Sequence, residues 1–262
     1  MESVVLSQLY VESYGAGPPV ILVHGWGMHG GVWRQFAQQL SVNYKVFCVD
    51  LPGHGNSEPI TLFTLSTVAQ QLAQQISDEP ACWVGWSLGA NVVLSLAAEF
   101  PTQVSSLVLI AGNPCFTQSL AWPGMAALDL EHFIDNAELD IKRTIARFMA
   151  LQVRGIPGFR SVLSDLKREL QVRPHSDQRT LMAGLEILRV VDQRAVFAQL
   201  SMPHLLLLGD KDPIVPIALA QAIDDGALEI NYSVMAGSGH LPFLTHKDQV
   251  VVQIRKFLKK VS

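Results

Sequence analysis

A serine between two glycines, in the segment Gly85-Trp86-Ser87-Leu88-Gly89, follows a short apolar run and precedes a segment of helical period. The apolar run is residues 81–84 (ACWV), and the helical segment is residues 88–100. A serine on a sharp turn between strand and helix takes a strained backbone, and flanking glycines avoid clashes with both elements. This context predicts that the Ser87 hydroxyl projects above a β-sheet as a nucleophile, rather than being an ordinary turn serine.

The first half of the chain alternates short apolar runs with longer segments of helical period, which is typical of a mostly parallel sheet covered by helices. Parallel strands need long crossovers, and a doubly wound α/β fold therefore follows. The predicted strands are residues 19–24, 45–49, 81–84 and 104–110, and the predicted helices are residues 32–40, 65–76 and 88–100.

The alternation of strands and helices ends after Ala111, and several helical stretches follow without a convincing strand. They are residues 129–134, 139–152, 159–170 and 178–190, with breaks at residues 155–158 and at Arg173-Pro174. Alternation resumes with a strand at 204–208, a helix at 217–223, a strand at 229–235 and a helix at 247–258. The pattern predicts a core of residues 1–112 and 192–262 that carries an all-helical lid, residues 113–191.

Composition limits the partners and the compartment. A formal net charge of −4 argues against a general attraction to nucleic acid, although a local basic patch remains compatible with it. The start does not resemble a signal peptide, and no charge-free apolar window is long enough to span a membrane. We expect a cytoplasmic monomer without membrane contact.

The three cysteines, Cys48, Cys82 and Cys115, lie in or beside apolar runs. This placement predicts buried reduced thiols rather than a disulfide framework or a zinc site. Cys115 has more polar neighbours, so a second interpretation is that its thiol lines a pocket.

A serine nucleophile needs a base, and His240 is the best placed of eight histidines. It follows the last predicted strand in a glycine-bearing loop, at the sheet edge where catalytic loops of open α/β sheets gather. The other histidines of the second half, together with His54, are predicted to be surface or structural residues. His29 has no obvious partner in the sequence.

The acid that orients the histidine is expected after the strand at 204–208, where Asp210 and Asp212 compete. The order serine, acid, histidine fits this position, and D-x-x-V-P favours Asp212. Asp210 is interpreted as a loop-capping residue, with the role of acid as its alternative.

Two backbone N–H groups are predicted to form an oxyanion hole. One belongs to Leu88 at the helix start, and the other to Trp26 in the His-Gly-Trp-Gly segment after the first strand. The Trp26 side chain has two interpretations, a wall of the acyl pocket or an aromatic residue packed under the lid.

Several longer segments resemble the pimeloyl-[acyl-carrier protein] methyl ester esterases of biotin synthesis, a family with the α/β-hydrolase fold. The likeness runs from residue 22 to residue 243 and is carried by LVHGWGM, VDLPGHGNS, WVGWSLGA, NPCF, WPG, RFMALQ and GLEIL. The hydrolase motifs are specific only to the superfamily, whereas the combination of WSLG with PCF, WPG and RF-x-ALQ is much more specific.

The resemblance implies a serine carboxylesterase that needs no cofactor or metal and whose partner is an acyl carrier protein. It places the substrate beside Trp26, Ser87, Leu88, His240 and a lid segment, which consists of Phe148, Met149, Ala150, Leu151 and Gln152. Since the carrier is acidic, the basic lid residues would dock it. The docking residues that the resemblance implies are Arg143, Arg147, Arg160 and Lys167, with Arg154 and Arg168 in the same basic region. Ser164 stands where the resemblance implies a further arginine.

Two other functions remain open at this point. One is a small-ester or carbon–carbon bond hydrolase of the same fold, in which the lid would serve a free small molecule and the basic residues would be a solvated helical face. The other is a receptor that holds a ligand on a hydrolase scaffold without turning it over.

Overall fold

The computed structural model describes residues 7–226 and 228–261 and contains a seven-stranded sheet in the order β1-β3-β2-β4-β5-β6-β7. Only β1 runs antiparallel to its neighbour, and the other five pairings are parallel. The strands are β1 (Val11–Tyr14), β2 (Pro19–Val23), β3 (Lys45–Val49), β4 (Ala81–Trp86), β5 (Val104–Ile110), β6 (His204–Gly209) and β7 (Tyr232–Met235).

Helices connect the parallel strands, as the long crossovers require, and the last two helices follow β7. They are α1 (Arg34–Leu40), α2 (Leu65–Gln75), α3 (Leu88–Glu99), α4 (Ala127–Leu139), α5 (Ile141–Gln152), α6 (Phe159–Leu170), α7 (Gln178–Val190), α8 (Arg194–Ala198), α9 (Ala218–Asp225), α10 (Pro242–Thr245) and α11 (Lys247–Val261). Five of them, α4 to α8, lie between β5 and β6 in the chain.

Two apolar cores lie on the two faces of the sheet, and β2 shows how they arise. Its alternate residues Ile21 and Val23 belong to the core that includes α2 and α3, while Val20 and Leu22 belong to the core that includes α1 and α11. Both faces are covered, so the strand is a continuous apolar run rather than an alternating one. This confirms the predicted doubly wound α/β fold.

The predicted elements agree with the structure in type, with three additions. β1, α8 and α10 were not predicted, because each has only four or five residues. The strand predicted at 229–235 is restricted to Tyr232–Met235, and the helix predicted at 32–40 begins as a 3-10 turn, Gly30–Trp33. Residues 113–191, all described, contain only isolated β-bridges in addition to helices.

Within the described ranges, no helix is long and apolar enough to cross a membrane. All three cysteines are free thiols and are buried. Burial raises the pKa of Cys82 to about 12 and also raises that of Cys48. These thiols are therefore neutral at physiological pH.

Candidate active site

Ser87 occupies the turn between β4 and α3, with backbone angles φ 54° and ψ −120°. A positive φ is unfavourable for any residue with a side chain, so this conformation persists because its surroundings impose it. The Ser87 N–H donates to the carbonyl of Ile110 at 3.0 Å, which ties the turn to the end of β5. Ser87 is only 4% exposed.

Gly85 and Gly89 are the two positions where this turn excludes a side chain. A Cβ on Gly85 would overlap the backbone of Gly89, and one on Gly89 would overlap the carbonyl oxygens of Val23 and His24. The glycines therefore let α3 approach the end of β2 closely, as expected from the G-x-S-x-G context.

The structure brings Asp212 and His240 together. His240 Nδ1 lies 2.8 Å from Asp212 Oδ2, while Asp212 Oδ1 accepts the N–H groups of Ile214 (2.8 Å) and Val215 (3.0 Å). The carboxylate thus favours the tautomer with a proton on Nδ1 and a lone pair on Nε2. His240 Nε2 is buried and has no hydrogen-bond partner among the described residues.

Asp210 has a different environment. One of its carboxylate oxygens accepts the N–H of Gly237 at 2.7 Å, which joins the loops after β6 and β7. The geometry therefore favours Asp212 over Asp210 as the acid. No hydrogen bond joins the Ser87 hydroxyl to His240; in enzymes without substrate this contact is often long and tightens in the complex.

Trp86, which sequence reasoning left without a role, connects the serine turn to the histidine loop. Its indole N–H donates to the carbonyl of His240 at 2.9 Å, and the two rings lie 5.8 Å apart between centroids. The connection spans 154 residues of sequence. In the sequence, Trp86 is only an aromatic residue at the variable position before the serine, and this does not identify the His240 carbonyl as its partner.

The loop after β2 lies against the serine turn, where the second oxyanion donor was predicted. A Cβ on Gly25 would lie 3.1 Å from Cβ of Ser87, so the two backbones are in close contact. His24 Nε2 accepts the N–H of Leu51 at 3.0 Å, and its Nδ1 therefore donates to the carbonyl of Gly25 at 2.9 Å. The N–H of Leu88 lies in the first turn of α3, where helix N–H groups have no intrahelical acceptor.

The Trp26 side chain is buried under the lid helices. Its indole N–H donates to the carbonyl of Leu181 on α7 at 2.8 Å, and its ring packs edge-on against Phe133 and Phe148 at 5.4 and 5.3 Å. The Trp26 side chain therefore contacts α4, α5 and α7. The Phe148 ring also lies 6.5 Å from the His240 ring, so Phe148 lies beside both Trp26 and the predicted base.

The remaining residues of the predicted substrate segment differ in their surroundings. Met149 is buried in the α1 and α11 core, Leu151 is half-buried and Ala150 is exposed. Gln152 is fully buried, and neither its side-chain oxygen nor its nitrogen has a hydrogen-bond partner. Its backbone carbonyl accepts the N–H of His240 at 3.4 Å, which places the end of α5 beside the predicted base.

The predicted docking residues are exposed and lack an acidic partner. Within the described part of the chain, no carboxylate lies within 4.0 Å of their cationic groups, in contrast to Arg168, which pairs with Asp165 at 2.6 Å. Ser164 is also exposed. The exposed cations without a carboxylate partner include Arg143, Arg147, Arg154, Arg160 and Lys167.

His29 has partners that the sequence did not reveal. Its Nδ1 accepts the N–H of Gly31 at 3.1 Å, and its Nε2 lies 3.0 Å from the carbonyl of Glu169 on α6. Both partners are backbone groups, and residue types in a sequence do not identify such partners. His54 is buried beside His24, with ring centroids 5.1 Å apart, and fits its predicted structural role.

These buried histidines predict acid sensitivity of the fold. Burial lowers the pKa of His54 to about 4; burial, followed by the nearby Arg173, lowers that of His29 to about 4. Unfolded histidine titrates near 6.5, so the unfolded chain binds more protons between these values. The free energy of unfolding should fall as the pH falls through this window, by roughly 1 to 2 kcal/mol per histidine at pH 5 relative to pH 7.5.

Urea unfolding at several pH values measures this loss. His29→Gln should reduce it, while the exposed His175→Gln should retain the wild-type pH dependence. Equal stability of the wild type at pH 5 and pH 7.5 would contradict the prediction.

No group of three or more His, Cys, Asp or Glu side chains in the described ranges is arranged to hold a metal ion.

Residues 18–247 match the family model of the alpha/beta hydrolase fold. With the parallel sheet and the strand-turn-helix serine, this match makes the chain an α/β hydrolase.

Three relatives with the name pimeloyl-[acyl-carrier protein] methyl ester esterase match nearly the whole chain. The protein of Methylococcus capsulatus is 40% identical over 95% of this chain and 98% of its own length. Those of Vibrio campbellii and Aliivibrio fischeri are 38% and 35% identical over 96% and 97% of this chain, and 98% of their own lengths. The chain therefore belongs to the family of pimeloyl-[acyl-carrier protein] methyl ester esterases, which confirms the resemblance found in its motifs.

Solved structures support the same fold at lower sequence identity. An esterase from Exiguobacterium antarcticum has a TM-score of 0.86 at 22% identity, covering 97% of this chain and 96% of that one. A bromoperoxidase from Bacillus anthracis has a TM-score of 0.83 at 21% identity, with coverage of 97% and 96%. At this distance the likeness concerns the architecture alone.

Proposed function

We propose that this chain is a carboxylesterase that hydrolyses the methyl ester of pimeloyl-[acyl-carrier protein] in biotin biosynthesis. The observation that carries the proposal is the near-full-length identity of 35–40% to relatives with that name. The buried Asp212–His240 pair and the strained turn at Ser87 support the serine esterase chemistry. We further propose that it acts without a metal or organic cofactor, because the predicted triad and oxyanion hole contain the groups that the reaction needs. A cytoplasmic monomer is part of the same proposal.

The proposed reaction has two steps. Ser87 Oγ attacks the ester carbonyl while His240 Nε2 takes its proton, and the N–H groups of Trp26 and Leu88 stabilise the oxyanion. His240 then gives the proton to the leaving methoxide, and methanol departs from a Ser87 acyl-enzyme. Water, deprotonated by His240, hydrolyses this ester and releases the pimeloyl carboxylate, still attached to its carrier.

We also propose the division into a core, residues 1–112 and 192–262, and a helical lid, residues 113–191; residues 1–6, 227 and 262 of that core lie outside the described residues. We propose that the lid covers the site, because Ser87 is 4% exposed and His240 is fully buried. We propose that Phe148 to Gln152 and Trp26 border the acyl chain beside Ser87, Leu88 and His240.

Carrier docking is proposed for the exposed cations of α5 and α6, Arg143, Arg147, Arg160 and Lys167. Cations without a carboxylate partner retain their full attraction for an acidic protein, whereas a paired cation such as Arg168 is already partly neutralised. Arg154 belongs to the same exposed set.

Reversing the charge of Arg143 and Arg147 tests this proposal. The double variant to Glu should raise KM for methyl pimeloyl-carrier protein by about 10-fold or more, since rim charges act mainly on association. KM for a short p-nitrophenyl ester should change less than about two-fold. Steady-state kinetics on both substrates at one ionic strength measure the difference.

Arg189→Glu is the matched control, because Arg189 is an exposed lid arginine that already pairs with Glu186 at 2.6 Å. It should leave both KM values near those of the wild type. Equal losses on both substrates would indicate a misfolded lid, and a wild type that prefers the free short ester would favour the small-ester hydrolase. Failure of fluorophosphonate to label Ser87 in folded protein would favour the ligand receptor.

A further inference from the structure

Helix α7 contacts both residues that supply the predicted oxyanion donors. Gly184 faces both residues, since an added Cβ there would lie 3.0 Å from Trp26 Cδ1 and 3.3 Å from Leu88 Cδ2. One turn earlier, the carbonyl of Leu181 accepts the indole N–H of Trp26 at 2.8 Å. The position of α7 therefore fixes the side chain of Trp26 and limits the room for that of Leu88, the two residues whose backbone N–H groups are the predicted donors.

The segment that leads into α7 is attached to the core by buried charges. The side chain of Arg173, 3% exposed, pairs with Asp50, whose side chain is fully buried, and with Glu12 on β1 at 2.9 Å. Its guanidinium also lies 4.8 Å from the centre of the Tyr10 ring. A buried charge separated from its partners is strongly unfavourable, so this attachment resists displacement.

Further contacts hold the same segment at the loop after β3. The Asp177 N–H donates to the carbonyl of Gly53 at 2.8 Å, and the Thr180 side chain packs against Gly53. Asp50 itself accepts the N–H groups of Gly30 and Asn56 at 2.6 and 2.9 Å. The start of α7 is thus built into the same polar cluster that shapes the loops after β2 and β3.

We propose that α7 is a positioning element of the oxyanion hole, which Arg173 attaches to the core and which sets the positions of Trp26 and Leu88 through Gly184. Arg173 and Gly184 are positioning residues, since neither provides a reacting group. The inference rests on the proposed esterase function. It distinguishes α7, which contacts both donor residues, from α5 and α6, which carry the docking cations and have their own contacts with the core.

The consequence is kinetic. Complete loss of one oxyanion donor typically lowers kcat by about 10²- to 10³-fold. A displacement of a few tenths of an ångström weakens the donor without removing it, so we expect a loss of about 10-fold. The weakened donor stabilises the transition state less and does not change binding of the ester before reaction, so KM should change little.

Gly184→Ala tests the contact without disturbing the buried charges. On a short free ester, kcat should fall about 10-fold while KM stays within about two-fold of the wild type. Affinity for a trifluoromethyl ketone, which forms an oxyanion on the serine, should fall in parallel with kcat/KM. The melting temperature should not fall in proportion, because alanine favours a helix more than glycine does.

Arg173→Gln and Arg173→Lys test the attachment. Active sites are counted by fluorophosphonate titration, so that only folded enzyme is compared. Arg173→Gln should show the same selective loss of kcat, and Arg173→Lys, which keeps the charge, should recover part of it. Arg189→Gln is the control, because it removes a charge from an exposed position of α7 and should leave kcat unchanged.

Unchanged kcat and unchanged ketone affinity in Gly184→Ala would overturn the proposal, even if Arg173→Gln failed to fold. A lower melting temperature with normal kcat per titrated site in Arg173→Gln would overturn the role of Arg173. Both assays use a free ester. A wild type that hydrolyses this ester but not the carrier-bound one would therefore refute the proposed function and leave this inference standing.

Discussion

Ser87→Ala is expected to abolish ester hydrolysis, lowering kcat by about 10⁴-fold or more, because the reaction then lacks its nucleophile. The fold should survive, since alanine keeps the strained backbone at φ 54° and removes only one oxygen atom. Purified variant and wild type are compared by methanol release from a methyl ester and by thermal unfolding. Melting temperatures should agree within a few degrees.

Activity that persists in a variant free of wild-type contamination would exclude Ser87 as the nucleophile. A variant that fails to fold would instead show that the serine is needed for the turn. In that case fluorophosphonate labelling of the wild type, with the modified peptide identified by mass spectrometry, assigns the nucleophile without a substitution.

Asp212→Asn is expected to lower kcat by about 10⁴-fold, as substitutions of the orienting acid do when they leave the geometry intact. The asparagine oxygen can still accept the N–H groups of Ile214 and Val215. Its amide nitrogen would then face His240 Nδ1 as a donor and favour the tautomer with the proton on Nε2. A protonated Nε2 cannot accept the proton of Ser87.

Asp210→Asn is the matched control, two residues away in the same loop. Asp210 accepts the N–H of Gly237, and an asparagine oxygen can replace that acceptor, so kcat should stay within about three-fold of the wild type. A large loss in Asp210→Asn with normal activity in Asp212→Asn would assign the acid to Asp210. Steady-state kinetics of both variants on one ester decide between them.

The sheet and the serine turn could be predicted because their signals are local. Buried parallel strands are continuous apolar runs, and Gly85 and Gly89 mark the turn within five residues. The edge strand β1 escaped prediction because it has only four residues, which are largely half-buried and include Glu12 and Ser13. Short elements depend on their neighbours rather than on their own pattern.

The contacts that hold the site in place from distant segments could not be predicted from this single sequence. Arg173 stood out only as part of a break before Pro174, and its partner Asp50 lies 123 residues away. The indole of Trp86 and the carbonyl of His240 are 154 residues apart, and no residue type in the sequence identifies a backbone acceptor. The structure therefore adds residues that hold the predicted reacting groups in place.

Methanol release from methyl pimeloyl-carrier protein, measured against the fraction of Ser87 labelled by fluorophosphonate, tests the central claim most directly. The account predicts catalytic release by the wild type, and a loss of rate in proportion to the labelled fraction. Release that survives complete labelling of Ser87, or folded enzyme that leaves the carrier-bound ester intact, would contradict it.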